Sequence, residues 1–275
     1  MEAILLAAAS VRPFLFDVMK LAIWLVLLAA IFIPLERFWA LHRQRVARKA
    51  IGVDLVYYFL NSMLPAVLLS VPFAVLAWGI HRVVPNPIQT FGANLPAGWR
   101  FAAALVVGEF GCYWGHRWMH EIPALWRIHA VHHSAEEIDW LVNTRAHPLD
   151  LVITRIAGFI PLYALGLAQP TQNPADPVSI AVILTGTIWQ FFIHANVRWR
   201  FGWLEFFFAT PAFHHWHHTR YDHINRNYAT MLPWMDWLFG TYYLPADKWP
   251  DRYGISDKMP DDLAGQLLHP LHRDR

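Results

Sequence analysis

Five stretches of the chain are apolar over lengths near the roughly 20 residues that a helix needs to cross about 30 Å of hydrocarbon. Phe14–Pro34 is the first, with Asp17 and Lys20 near its start. Val53–Ile80 is the longest, and Pro65 and Pro72 are expected to kink it. Trp99–Gly115 is short and carries Glu109, His147–Ala168 holds Asp150 and Arg155 in its first turns, and Pro177–Ile193 is the fifth. The last two also fit membrane-embedded hairpins that do not fully cross. Polarity rises beyond about residue 200, and 246–275 reads as a soluble, partly ordered extension. The pattern predicts an all-α protein, a multi-span membrane helical bundle.

Composition strengthens that reading. Of 275 residues, 56% are hydrophobic and 15% charged, against about 25% charged in a soluble domain. The net charge of +2 is small and no basic block is interleaved with aromatics, so no nucleic-acid partner is expected. Cys112 is the only cysteine, which excludes an intramolecular disulfide and a cysteine-based zinc site. The chain begins Met-Glu with no basic stretch before its apolar residues, so a cleaved secretory signal is not expected. The fifteen tryptophans read as an interfacial aromatic belt.

Charge also sets an orientation. Arg37, Arg43, Arg45, Arg48 and Lys49 lie between the first two spans, whereas the Gln169–Asp176 connection has no lysine or arginine. The positive-inside rule places the basic loop in the cytoplasm. Alternation then puts residues 116–146 and everything after 193 on the same side.

Those two regions hold most of the chain's sixteen histidines. His116 and His120 form H-x-x-x-H; His129, His132 and His133 form H-x-x-H-H; His214, His217 and His218 repeat it. On a helix, positions i, i+3 and i+4 are neighbours, so each arrangement is expected to aim its imidazoles at a common point. Pro123 should break the helix between the first two groups and let the second fold back on the first. His194, at the end of the fifth span, is a ninth candidate ligand. Eight or nine imidazoles exceed the four ligands of one zinc site and suit two ions with open positions. Imidazole accepts zinc, copper, iron or nickel, so ligand type alone does not choose the metal.

The motifs His116-Arg-Trp-Met-His120, His129-Ala-Val-His132-His133 and His214-His-Trp-His217-His218 resemble the histidine boxes of the fatty acid hydroxylase/sterol desaturase superfamily. The segments His133-Ser-Ala-Glu-Glu-Ile-Asp-Trp140, Trp189-Gln-Phe-Phe-Ile-His194, Asn227-Tyr228 and Trp234-Met-Asp-Trp-Leu-Phe-Gly-Thr-Tyr242 extend the resemblance from about Glu109 to Tyr243. Asn225 departs from it, standing where an acid is expected. The resemblance implies a cytoplasmic-side helical cap carrying a dimetal site of two iron ions. With dioxygen as co-substrate, that site would attack a lipid C–H bond by hydroxylation or desaturation, or cleave an ether. It divides the chain into membrane helices over 1–95, a catalytic domain over 96–245 and a C-terminal extension over 246–275. The sequence has neither a dinucleotide fingerprint nor a haem or iron–sulfur module. Electrons are therefore expected from an external donor, a ferredoxin or a cytochrome b5-like protein with a reductase.

Several other residues carry expectations. Glu109 lies two turns below His116 and reads either as a group that holds the metal site from behind or as a charge facing a wet cavity. His147 is either a further ligand or a donor to Asp150. His215 and His223 lie off the boxes and read as surface or packing residues; His42, His81, His269 and His272 read as solvated. Arg145 and Arg198 read as solvated or as holding a lipid head group. The competing function is a histidine-rich membrane metal transporter or sensor, which would spread ionisable residues through its spans at midplane.

Overall fold

Proline placement starts most of the helices. The computed structural model describes residues 2–168 and 175–271. The Lys/Arg-free connection falls mostly outside them, as does His272. In chain order the α-helices are α1 (Glu2–Phe38), α2 (Ile51–Val83), α3 (Asn86–Ala93), α4 (Ala97–Glu121) and α5 (Pro123–His133). They continue with α6 (Pro148–Ala164), α7 (Pro177–His194), α8 (Pro211–His217), α9 (Trp234–Leu238) and α10 (Leu263–Leu268). Helices α3, α5, α6, α7 and α8 carry proline in their first two positions, where the missing N–H costs nothing. Asp176 and Thr210 cap α7 and α8 by accepting from Ser179 N and Phe213 N. No strand is present among the described residues; two isolated bridges pair Ala40 with Val197 and Thr219 with Tyr253.

Among the described residues, three helices are long and apolar enough to cross a membrane: α1 over Arg12–Phe38, α2 and α7. By length and composition they mark the chain as a membrane protein. Phe16, Ile23, Val26 and Ile31 of α1 are each about half exposed or more, as expected for a lipid-facing helix. The other two apolar stretches form α4 and α6, which pack side by side between the same two ends. Their contact is close because it is made of small residues. A Cβ on Gly111 would lie 2.3 Å from the Ala157 carbonyl oxygen, and one on Gly115 would lie 2.6 Å from Ala157 Cβ.

The two ends of the bundle differ in content. At one, Gly92 and Gly166 bring α3 against the end of α6, and Arg100 of α4 pairs with Asp176 at the start of α7. At the other, the 39–50 loop joins the end of α7: Arg198 N donates to the Trp39 carbonyl at 2.9 Å, and Leu41 N to that of Asn196 at 3.2 Å. The basic loop, the end of α1, the start of α2 and all three histidine motifs therefore share one end. There, α5, α8, α9 and a 3-10 turn over Trp140–Thr144 form a cap.

Residues 246–271 are packed onto that cap. Trp216 Nε1 donates to the Lys248 carbonyl at 3.2 Å, and Tyr253 is buried against His215.

Candidate metal centre

The break expected at Pro123 is present: Ile122 is extended (φ −97°, ψ 115°), and α5 turns back so that its last turn faces α4. All nine histidines come together, each less than 9% exposed. They form two clusters, one of His116, His120, His129, His133 and His217 and one of His132, His194, His214 and His218. In each, the candidate ligand atoms lie within 4.8 Å of one another.

The division corrects the expectation that each motif aims at one point. In α5 the i,i+4 pair His129 and His133 serves the first cluster, while His132 turns to the second. At α8 the pattern reverses: His214 and His218 serve the second cluster and His217 the first. Consecutive helical residues point about 100° apart, so adjacent histidines separate and each H-x-x-H-H bridges two centres. The clusters abut where His133 and His218 stack with ring centroids 4.4 Å apart.

Anchors on Nδ1 orient the rings. His116 donates to the Tyr228 carbonyl (2.7 Å), His132 to that of Arg145 (2.9 Å), His194 to that of Gln190 (2.7 Å) and His217 to that of Arg226 (2.9 Å). His129 donates to Asp150 Oδ2 at 2.6 Å. An Nδ1–H so committed leaves the Nε2 lone pair free to ligate. The Nε2 atoms then crowd together: His116 and His129 at 3.1 Å, His129 and His133 at 3.2 Å, His194 and His214 at 3.0 Å, His214 and His218 at 3.1 Å.

Facing lone pairs without intervening protons repel, yet these spacings suit ligands around a common ion. With metal–nitrogen bonds of about 2.1 Å, ligands at right angles lie about 3.0 Å apart and tetrahedral ones about 3.4 Å. His217 Nε2 and both ring nitrogens of His120 are buried with no hydrogen-bond partner. Such orphaned atoms call for an explanation, and a metal ion would be the partner of His217 Nε2 and of one nitrogen of His120. The donor set therefore fits metal. Burial first, and repulsion from neighbouring imidazoles second, lower the imidazolium pKa of His116 to about 3 and that of His132 to about 4. The same causes hold His120, His133, His214, His217 and His218 well below the ordinary value. Neutral imidazole is the ligating form.

Other residues take roles their local sequence did not show. Glu109 touches no histidine: its carboxylate accepts from Thr230 N (2.6 Å), Met231 N (2.7 Å) and Thr230 Oγ1 (3.1 Å). It fixes the loop beside Tyr228, whose carbonyl anchors His116. Asp236 holds that loop too, accepting from Tyr228 N, Ala229 N and Thr241 Oγ1 at 2.6–2.8 Å. The His147 ring neither joins a cluster nor donates to the Asp150 carboxylate; it caps α6 by accepting from Leu149 N and donates to the Leu267 carbonyl. Arg145 is neither solvated nor free for a head group. It is buried and paired with Asp54 at 2.6 Å, and Arg48 bridges Asp54 (2.5 Å) and Asp139 (2.7 Å). His215 is fully buried, with Nδ1 2.8 Å from Tyr253 Oη, and that hydroxyl lies 3.3 Å from His42 Nε2. His223 is exposed and stacks on Tyr243; Asn225 is exposed.

A family model described as fatty acid hydroxylase matches residues 101–241. The chain is 36% identical over 181 residues to an ornithine lipid hydroxylase of Rhizobium tropici, covering 65% of this chain and 52% of that protein. It is 33% identical over 159 residues to human alkylglycerol monooxygenase, covering 56% and 34%. To a Delta(7)-sterol-C5(6)-desaturase of Nicotiana tabacum it is 30% identical over 151 residues, covering 54% and 51%. It thus spans about half the length of the hydroxylase and the desaturase and a third of the monooxygenase. No solved structure matches it. The family match runs from the second turn of α4 past α9 and takes in every histidine of both clusters with Glu109, Asp150 and Asp236, and on that ground the chain belongs to the fatty acid hydroxylase family.

Proposed function

We propose that the chain is a membrane-bound non-haem di-iron oxygenase that acts on a lipid C–H bond by hydroxylation or desaturation. The observation that carries this reading is the division of nine buried imidazoles into clusters of five and four. His116, His120, His129, His133 and His217 would hold one iron, and His132, His194, His214 and His218 the other. When bound, the pair supplies the activation of dioxygen needed to break an unactivated C–H bond.

The chain's own residues do the rest. The Nδ1 anchors fix ring orientation, so the donors need not reorganise during turnover. Burial keeps bulk water from the centre. Phe32, Trp140 and Phe191 form an apolar layer beside His194, the medium an alkyl chain requires. The relatives act, by their names, on an ornithine lipid, an alkylglycerol and a sterol, which supports a lipid substrate. Electrons come from an external ferredoxin or cytochrome b5-like donor with its reductase. The arginines of the 39–50 loop, at the same end as the clusters, support a multi-pass topology with a cytoplasmic active site. Gathering of the ligands at helix ends disfavours transport, which needs sites near midplane.

The test compares lipid extracts of cells with and without the gene, grown under 18O2. A lipid that gains one labelled oxygen, or loses two hydrogens, only when the gene is present supports the proposal. Identical lipid profiles under saturating expression with iron and a reducing partner would sink it.

A further inference from the structure

A cavity of about 620 Å3 lies between α1 and α2, at the end of the bundle that carries the clusters. It has two unlike parts. Leu25, Val26, Ala29 and Ile33 of α1, with Ile51 and Leu55 of α2, form an apolar wall. Both helices are long and apolar enough to span a membrane, so this wall lies at membrane depth. Arg37, Arg43 and Arg45 line the mouth. From Leu25 to Arg37 along α1 the rise is about 18 Å, enough to seat the upper part of an acyl chain beneath a head group.

The charge at the mouth is one-sided. Glu36 and Asp139 also line the cavity, but both are engaged within the protein. Glu36 Oε1 accepts from Trp140 N (2.8 Å) and Asn196 N (2.9 Å), and Asp139 is paired with Arg48. Arg37, Arg43 and Arg45 are exposed and form no ion pair with a carboxylate among the described residues. Arg43 also borders a second, polar hollow with Glu136, Glu137 and Asp251, where Glu136 is paired with Arg220. Three unpaired guanidiniums over an apolar slot complement one ligand chemistry: an anionic phosphate joined to an acyl chain.

We propose that this cavity binds a phospholipid of net negative charge, with its acyl chain between α1 and α2 and its phosphate on Arg37, Arg43 and Arg45. Trp140 and Asn196 form its inner wall, and Asn196 is two residues from His194, so the bound lipid sits beside the metal centre without entering it. Binding is measured without turnover, so this proposal stands or falls separately from the oxidation proposed above.

The test places the full-length protein in nanodiscs of equimolar phosphatidylglycerol and phosphatidylcholine, then identifies the lipid retained after release by native mass spectrometry. Wild type is expected to retain phosphatidylglycerol over phosphatidylcholine by about fivefold or more. Arg37→Gln/Arg43→Gln/Arg45→Gln should lose that preference. Ala29→Phe and Val26→Trp, which fill the slot and keep all three arginines, should lose the retained lipid. Unchanged metal content certifies that each variant is folded. Equal retention of the two lipids by wild type would overturn the proposal. So would phosphatidylglycerol retention untouched by both slot-filling variants, because the arginines would then only be gathering lipid at the surface.

Discussion

Asp150, in the first turn of α6, accepts a 2.6 Å hydrogen bond from Nδ1 of His129 on α5, 21 residues earlier in the chain. Both side chains are buried, and among the described residues this carboxylate is the one acidic side chain hydrogen-bonded to a histidine of either cluster. It fixes the tautomer of His129 and so turns the Nε2 lone pair towards His116 and His133. Asp150→Ala should weaken metal retention by 10–100-fold, the usual effect of losing such a support. Metal remaining after graded chelator treatment is the readout. A retention curve identical to wild type would show that His129 does not need its carboxylate.

Asp54 should matter for stability more than for chemistry. It is fully buried at the start of α2 and pairs with both Arg48 and Arg145, with Asp139 the second anion of the network. Asp54→Ala leaves two buried guanidiniums short of a partner, a loss of about 3–5 kcal/mol. Arg145 supplies the carbonyl that anchors His132, so metal should leave the variant at lower temperature as well. An unchanged unfolding midpoint would mean that solvent reaches this network.

His120 and His215 separate ligation from packing. Both are buried, and each has a ring nitrogen without a partner, but only His120 lies in a cluster. His120→Ala should abolish lipid oxidation while the protein still inserts. His215→Ala should keep the wild-type metal content and lower stability by about 2–4 kcal/mol, because it empties a packed site beside Trp249 and Tyr253. Equal loss of metal in the two variants would overturn the assignment of the last motif.

Eight of the nine ligand candidates were legible in the sequence because metal ligation on helices has a local signature in i,i+3 and i,i+4 spacing, and Pro123 announced the turn that joins them; His194 showed only by its place at the end of an apolar span. The bracing was not legible. Glu109 meets Thr230 and Arg48 meets Asp139 across about ninety residues or more, and no periodicity encodes such pairings. Arg145 looked like a surface residue because its partner, Asp54, stands in a helix that reads as apolar. The extension over 246–271 looked loose because Tyr253 and Lys248 make their contacts with α8, far back in the chain. His215 reads as off-pattern from its spacing alone; its burial depends on that extension.

Topology is tested by labelling. In a Cys112→Ser background, cysteines at Arg45 and Asn94, both exposed and at opposite ends of the bundle, should react from opposite sides of the membrane, with Arg45 cytoplasmic. Labelling of both from one side would contradict the proposed arrangement of α2.

Two clusters of this composition should hold two ions. Elemental analysis of protein purified from iron-replete, reducing conditions should give two irons per chain, and His120→Ala or His214→Ala, one from each cluster, should each lower that number. One metal per chain in the wild-type protein, or stoichiometric haem, would contradict the account.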